Sequence, residues 1–285
     1  MNAGKHILKT FSGTNYFVVW SEIVKNIKIL LAYPVVIVFW AIFPVFWFLP
    51  FVFQGEAFVG GLQSASFAEI AGTPNYVPFL VVGAILNSYV LTSLWGLGES
   101  MRREAYQGTL DYLLASPCNK AFILIGKAIS ESINSTFFAI SQIVICVLFF
   151  GLEITLGAIM PIIFIIILLI AGLYGIALML AALSLQYKQS HDIAHVLDYV
   201  FYIFAPVRYP VQSLPLWGQL ISKLLPLTYA LIAVRSIIIM RQNVFSLYQE
   251  MLYLLVMDVL LIFLGFYFFN WVEKKTKKSG TISQY

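Results

Sequence analysis

Long stretches without any charged side chain set the limits on this chain. Twenty-seven uncharged residues separate Lys28 from Glu56, 29 separate Glu69 from Glu99, 21 separate Glu131 from Glu153, and 34 separate Glu153 from Lys188. About 20 apolar residues in a helix cross the hydrocarbon core of a bilayer, and a helix satisfies its own backbone there. The gaps predict spans near 33–53, 76–98, 129–151 and 158–185. Residues 193–209 and 249–271 are apolar around Asp198 and Asp258 and read as two more spans, each with an ionisable residue. Between them, Pro210, Pro215 and Pro226 break a moderately hydrophobic stretch. Two short helices dipping into the membrane from one side fit that stretch better than a span or a solvated loop. With 61% hydrophobic and 11% charged residues, the chain cannot cover a water-facing surface. An ordinary soluble domain, disorder, collagen and a coiled coil are excluded. Cys118 and Cys146 make no disulfide framework, and a net charge of +4 spread this way is no argument for a nucleic-acid partner.

The expected fold is an all-α polytopic membrane protein: six transmembrane helices, an N-terminal interfacial helix, and a re-entrant extracellular hairpin before the last span. Residues 1–31 form the cytosolic N-terminus and interfacial helix, 32–272 the six-span domain, and 273–285 a basic cytosolic tail. Thirteen Lys and Arg fall on the side that carries both termini, against four on the other, so both termini are expected to be cytoplasmic in the cell membrane. No secretory leader is expected, because the first apolar run starts only near residue 29. Within 15–31, Phe17, Trp20, Ile23, Val24, Ile27 and Leu31 recur at spacings of three and four, with Ser21, Glu22, Lys25 and Lys28 opposite. That is the pattern of an amphipathic helix lying on the membrane, either as an anchor or as an elbow that touches a cytosolic partner.

The most polar stretch, 98–131, lies between the second and third spans. Thr109 can cap a short helix whose Leu110, Leu113 and Leu114 form a small apolar face suited to a partner's groove. Here the chain resembles the type 2 ABC transporter permeases. The residues that carry the likeness are Arg103, Glu104, Gly108, Thr109, Leu110, Asp111, Leu113, Leu114, Ser116 and Pro117, then Leu124 to Lys127. A second segment, Ser213 to Pro215, Trp217, Pro226 to Ala230 and Arg235, is similar to the family's stretch after the fifth span. The resemblance implies an exporter subunit with no ATPase of its own, paired with a second permease copy as a homodimer and seated on nucleotide-binding subunits that hold ATP and Mg. It makes 99–120 the coupling loop, with Glu104, Gly108, Thr109, Leu110, Asp111, Leu113 and Leu114 as docking residues. It makes 210–240 the extracellular gate, with Pro215, Pro226, Thr228, Tyr229 and Arg235. The chain has no phosphate-binding loop: Gly126-Lys127 is followed by Ala128, with Ala121 where the first glycine belongs. The cargo class implied is an amphipathic or hydrophobic solute, drug-like, peptide or lipid-linked. Export of a lipid-linked polysaccharide is the alternative, weakened because Leu31-Ala32-Tyr33-Pro34-Val35 stands where a Leu-Gly-x-x-Trp-like stretch is usual in those relatives.

Polar residues at membrane depth are costly and face a bundle interior. Lys127 and Glu131 stand at i, i+4, an ion-pair spacing. Asn134, Ser135, Ser141 and Gln142 continue along that side as a solute path, a dimer seam or helix–helix glue. Asp258 is expected to pair with a polar neighbour. His191 and His195, with Asp192 and Asp198, could hold zinc by spacing, as a membrane metalloenzyme would need; a solvated helix entry is the simpler reading, and no catalytic or metal residue is assigned. Gly172 and Gly175 allow close helix packing. Trp40, Trp47, Trp95, Trp217 and Trp271 fall mostly near span ends.

Overall fold

The computed structural model describes residues 3–35, 37–39, 42–43, 46, 49–50, 53, 65–74, 76–115, 120–150, 155–186 and 190–279. Among the described residues there are helices and turns and no strands. The helices are α1 (Ala3–Ala32), α2 (Ala65–Ala71), α3 (Tyr76–Leu91), α4 (Ser100–Tyr106), α5 (Leu110–Ala115), α6 (Lys120–Phe150), α7 (Leu156–Gln186), α8 (Ser190–Phe204), α9 (Leu216–Lys223), α10 (Pro226–Ile238) and α11 (Tyr248–Ser279). A π-helical segment, Thr92–Gly98, extends α3.

Three stretches are long and apolar enough to cross a membrane: Tyr76–Gly98, Leu156–Ser184 and Val244–Thr276. They match the expected second, fourth and sixth spans. The expected third span lies within α6, which at 31 residues is about 45 Å long. Of 33–53, just over half is described; those residues are almost all helical, with Phe39 and Phe43 stacked at 5.2 Å. The expected fifth span is shorter than the reading of 193–209. Its helix, α8, has 15 residues and rises about 22 Å, less than the ~30 Å hydrocarbon core. It stops at Phe204 because Pro206 disfavours helical geometry just before it. The proline-broken stretch forms a bent pair: α9 and α10 meet at 89°. Pro226 opens α10 at its first turn, where a missing N–H costs nothing. The elbow is closed by the Thr228 hydroxyl donating to the Ser222 carbonyl at 2.7 Å.

The bundle is organised around α7. A Cβ added to Gly175 would strike the Leu261 backbone of α11, and one added to Gly265 would strike the Gly175 backbone. Two glycines thus let α7 and α11 touch main chain to main chain. In a bilayer such packing, rather than water exclusion, holds helices together. One apolar cluster joins α3, α7, α8 and α10 through Leu86, Ile165, Leu169, Phe201 and Leu231. A second gathers Leu97, Met101, Leu110, Leu124, Ala181 and Val272 at the end of the bundle where α3 passes into α4.

The N-terminal helix departs from the expectation in one respect. Its Glu22 side chain is not turned to solvent. A Cβ on Gly126 of α6 would meet Glu22 and the Val19 backbone, and Glu22 pairs with Lys25 at 2.6 Å. Phe17, Trp20 and Leu31 are exposed. Glu22 therefore lies against α6, while Ser21, Lys25 and Lys28 of the same polar edge stay exposed and the aromatic side faces outward.

A charge-clasped hairpin at one end of the bundle

Helices α4 and α5 form a hairpin at the end of the bundle where α3, α6 and α7 converge. The turn needs a glycine: Gly108 has φ of +71° and nothing near where a side chain would stand. Thr109 closes the turn on Glu104. Its N–H donates to the Glu104 carbonyl at 2.9 Å, and its hydroxyl donates to the Glu104 carboxylate. The hydroxyl therefore serves the turn.

Glu104 does more than shape the turn. Its other carboxylate oxygen accepts from Lys127 of α6. One residue earlier, Arg103 pairs with Glu131 of α6 at 3.3 Å. The expected Lys127–Glu131 pair is thus replaced by two pairs that cross to the hairpin. The physical reason is proximity: α4 offers each α6 charge an opposite partner of its own, and both gain more than from each other. Lys127 is only 8% exposed, a place where a lone ammonium is costly and a paired one is tolerated. Burial pushes the Glu104 carboxyl pKa up. The hydrogen bonds from Lys127 and Thr109, with the charges of Lys127 and Lys25, outweigh that and hold it below its ordinary value.

Arg103 also donates to the Gly96 carbonyl. That carbonyl lies in the π segment, where the helical ladder is loosened. Gly98 is held likewise, by the Ser184 hydroxyl of α7 at 3.2 Å. On the adjacent side, Arg102 pairs with Glu99 at 2.9 Å and stacks over Tyr106. The end of α3, the start of α6 and the hairpin are thereby joined by side chains from each.

The docking residues named from sequence divide in this structure. Leu110 is buried at 4% in the second apolar cluster, so it anchors the hairpin and is not offered to a partner. Leu113 is half-buried. The side chains of Asp111 and Leu114 lie outside the described residues, as do Ser116 and Pro117. The exposed surface is instead Tyr106 and Tyr112, at 75% and 79%, with Gln107, Gly108 and Thr109. The sequence signal for them was two tyrosines flanking a Gly-Thr turn.

Elsewhere the polar residues are mostly tied within the bundle. Ser135 donates to the Glu131 carbonyl at 2.9 Å, and Tyr174 of α7 to the Ala128 carbonyl at 2.6 Å. Asn134 is half-buried and Gln142 buried, its Nε2 without a partner among the described residues. Asp258 is 3% exposed and lies against Gly172, where a Cβ would strike its carboxylate. The expected polar neighbour is absent: neither carboxylate oxygen has a partner among the described residues. His191 and His195 do come together, with ring centroids 4.8 Å apart, but around the Trp95 indole, 5.1 and 4.6 Å away. No group of three metal-ligating side chains exists among the described residues. Trp40 and Trp47 lie outside them. Trp217 and Trp271 are exposed, against Phe204 and Phe268 respectively.

The residues expected to form the gate gather at the opposite end of the bundle. Thr228, Tyr229 and Arg235 line a cavity of about 620 Å³ with Phe79, Lys223 and Tyr253. Pro215 and Pro226 each stand at a helix start.

Long apolar helices, a bent helix pair at one end and a charge-clasped hairpin at the other define a membrane permease domain. The profile of the ABC-2 type transporter family matches residues 18–239, well over half of the chain, and the chain belongs to that family. It is a transport subunit without an ATPase domain; in this family an ATP-binding partner subunit hydrolyses ATP. No curated protein gives a significant match.

Proposed function

We propose that this chain is the permease half of an exporter in the plasma membrane, moving an amphipathic or hydrophobic solute outward. Six spans with both termini in the cytoplasm are supported by the thirteen-to-four distribution of Lys and Arg. Two copies form the working pair, because six spans are few for a complete solute path. Outward transport is supported by the likeness of 98–131 and 213–235 to exporter permeases.

The observation that carries the coupling reading is the pair of ion bridges, Glu104–Lys127 and Arg103–Glu131, between hairpin and α6. A hairpin held only by its apolar anchor could swivel. One bridged to α6 and hooked to Gly96 passes a tilt into two long helices as rigid bodies. The ATPase subunit docks on Tyr106, Thr109 and Tyr112, the exposed crest. Aromatic side chains in such a place serve as interface anchors. Changing Tyr106 and Tyr112 together to Asp leaves the buried Leu110 anchor intact, so the protein inserts normally. Co-purification with the ATPase subunit is expected to fall at least about tenfold. Undiminished capture and ATP-driven export in that variant defeat the assignment.

A further inference from the structure

The cavity at the end opposite the hairpin has a chemistry of its own. It lies inside the α9–α10 elbow, walled also by residues 206–212 and by the starts of α3 and α11. Lys223 and Arg235 face it, and no carboxylate does among the described residues. Arg235 is 5% exposed. Its guanidinium donates to the carbonyls of Pro206, Val207 and Phe79 and lies over the Phe79 ring. These carbonyls satisfy N–H groups but cancel no charge, and Nε still has no partner among the described residues. A buried cation in that state is left without its counter-charge. Lys223, one turn after Gln219 on the same face of α9, adds a second positive charge at the exposed side. Facing them are apolar and aromatic surfaces: Ile232, Met240, and Tyr229 stacked on Tyr253 at 5.7 Å.

We propose that this cavity binds an amphiphile whose head is an oxyanion, phosphate or carboxylate. Lys223 and Arg235 hold the head, and the Tyr229–Tyr253 pair with Ile232 lies along the apolar chain. A guanidinium and an ammonium together suit an oxyanion, because each adds charge-assisted hydrogen bonds. An apolar wall with a few convergent polar groups is the usual form of a small-molecule site. The inference does not depend on the export reading: a resident lipid and a transported solute would both satisfy it.

The test is calorimetric titration of the full chain, purified in a neutral maltoside detergent, with dodecyl phosphate, dodecylphosphocholine and inorganic phosphate. Dodecyl phosphate is expected to saturate one site per chain, at least about tenfold tighter than the other two. Lys223→Glu is expected to weaken it about tenfold, and so is Ile232→Trp, which fills the apolar wall. Both residues are partly or fully exposed, so the variants keep their melting temperatures. Arg235 is left unchanged because it clamps three carbonyls. Inorganic phosphate binding as tightly as dodecyl phosphate overturns the amphiphile in favour of a free anion. No saturable binding, or binding unaltered in both variants, overturns the site.

Discussion

The clearest test of the hairpin is removal of the Glu104 carboxylate. In Glu104→Ala three things are lost: the Lys127 bridge, the Thr109 hydroxyl bond and the compensation of a buried ammonium. Breaking a buried pair by removing one partner costs about 3–5 kcal/mol. The Glu104 and Lys127 side chains are 14% and 10% exposed, so water screens the orphan in part, and about 3 kcal/mol is the expected loss. That is roughly a hundredfold shift between clasped and released hairpin. Much of the loss comes from the stranded Lys127, so Lys127→Met in the Glu104→Ala background is expected to restore about half of it. The two single effects will then be non-additive by about 1–2 kcal/mol. Hydrogen exchange at the amides of Gly108 and Thr109, which donate to Ala105 and Glu104 carbonyls, reads the clasp directly. ATPase stimulation by the cognate solute reads its consequence. The pH dependence has a fixed sign. The Glu104 pKa is held below its ordinary value, so the bridge stabilises the fold above the unfolded pKa and fades only as pH falls through the lowered one. Protection at Gly108 therefore survives mild acid. Additive single effects, or native exchange in Glu104→Ala, would falsify the clasp.

Two further outcomes concern the bundle itself. Gly265→Leu is expected to separate α7 from α11, because a Cβ there already strikes the Gly175 backbone. A loss of about 1–3 kcal/mol, read as a lower melting temperature in detergent, is the expected result, and a native melting temperature refutes the main-chain contact. Asp258→Asn removes an ionisable group that has no partner among the described residues, while keeping its shape against Gly172. It is expected to melt at the same temperature or higher; a large fall would reveal a partner that depends on the charge.

What was legible in the sequence was set by composition over long windows. Three of the spans, the bent pair and the position of the hairpin follow from charge gaps and prolines, signals that a bilayer enforces strongly. The end of α8 at Phe204 was less legible, because the apolar run continues to Val207 while the helix stops ahead of Pro206. The π segment was not legible at all. Its cause is tertiary: Gly96 and Gly98 stand where the Glu131 and Leu180 side chains press closest, and an Arg103 side chain takes up the Gly96 carbonyl.

Lys127 and Glu131 show where spacing alone is an incomplete guide to ion pairing. Spacing of i, i+4 says that two charges can meet, and says nothing about a better partner arriving from another element. Here α4 brings an adjacent Arg103-Glu104 dipeptide against the Lys127–Glu131 edge, with each charge opposite its complement. The same four residues that looked like one helix's internal pair plus a polar loop are a two-bridge joint between helices. That changes what the scarce charges are for. An internal pair on α6 would merely neutralise itself at the membrane boundary. A joint makes the position of α6 depend on the position of the hairpin, and it does so where the apolar anchor Leu110 already fixes the pivot. Exchanging the signs, Glu104→Lys with Lys127→Glu, separates the two views. A joint tolerates the exchange and keeps the hairpin protected, less the Thr109 bond and the Lys25 attraction that Glu104 also has. If the charges act independently, the double exchange only sums the two single effects and recovers nothing.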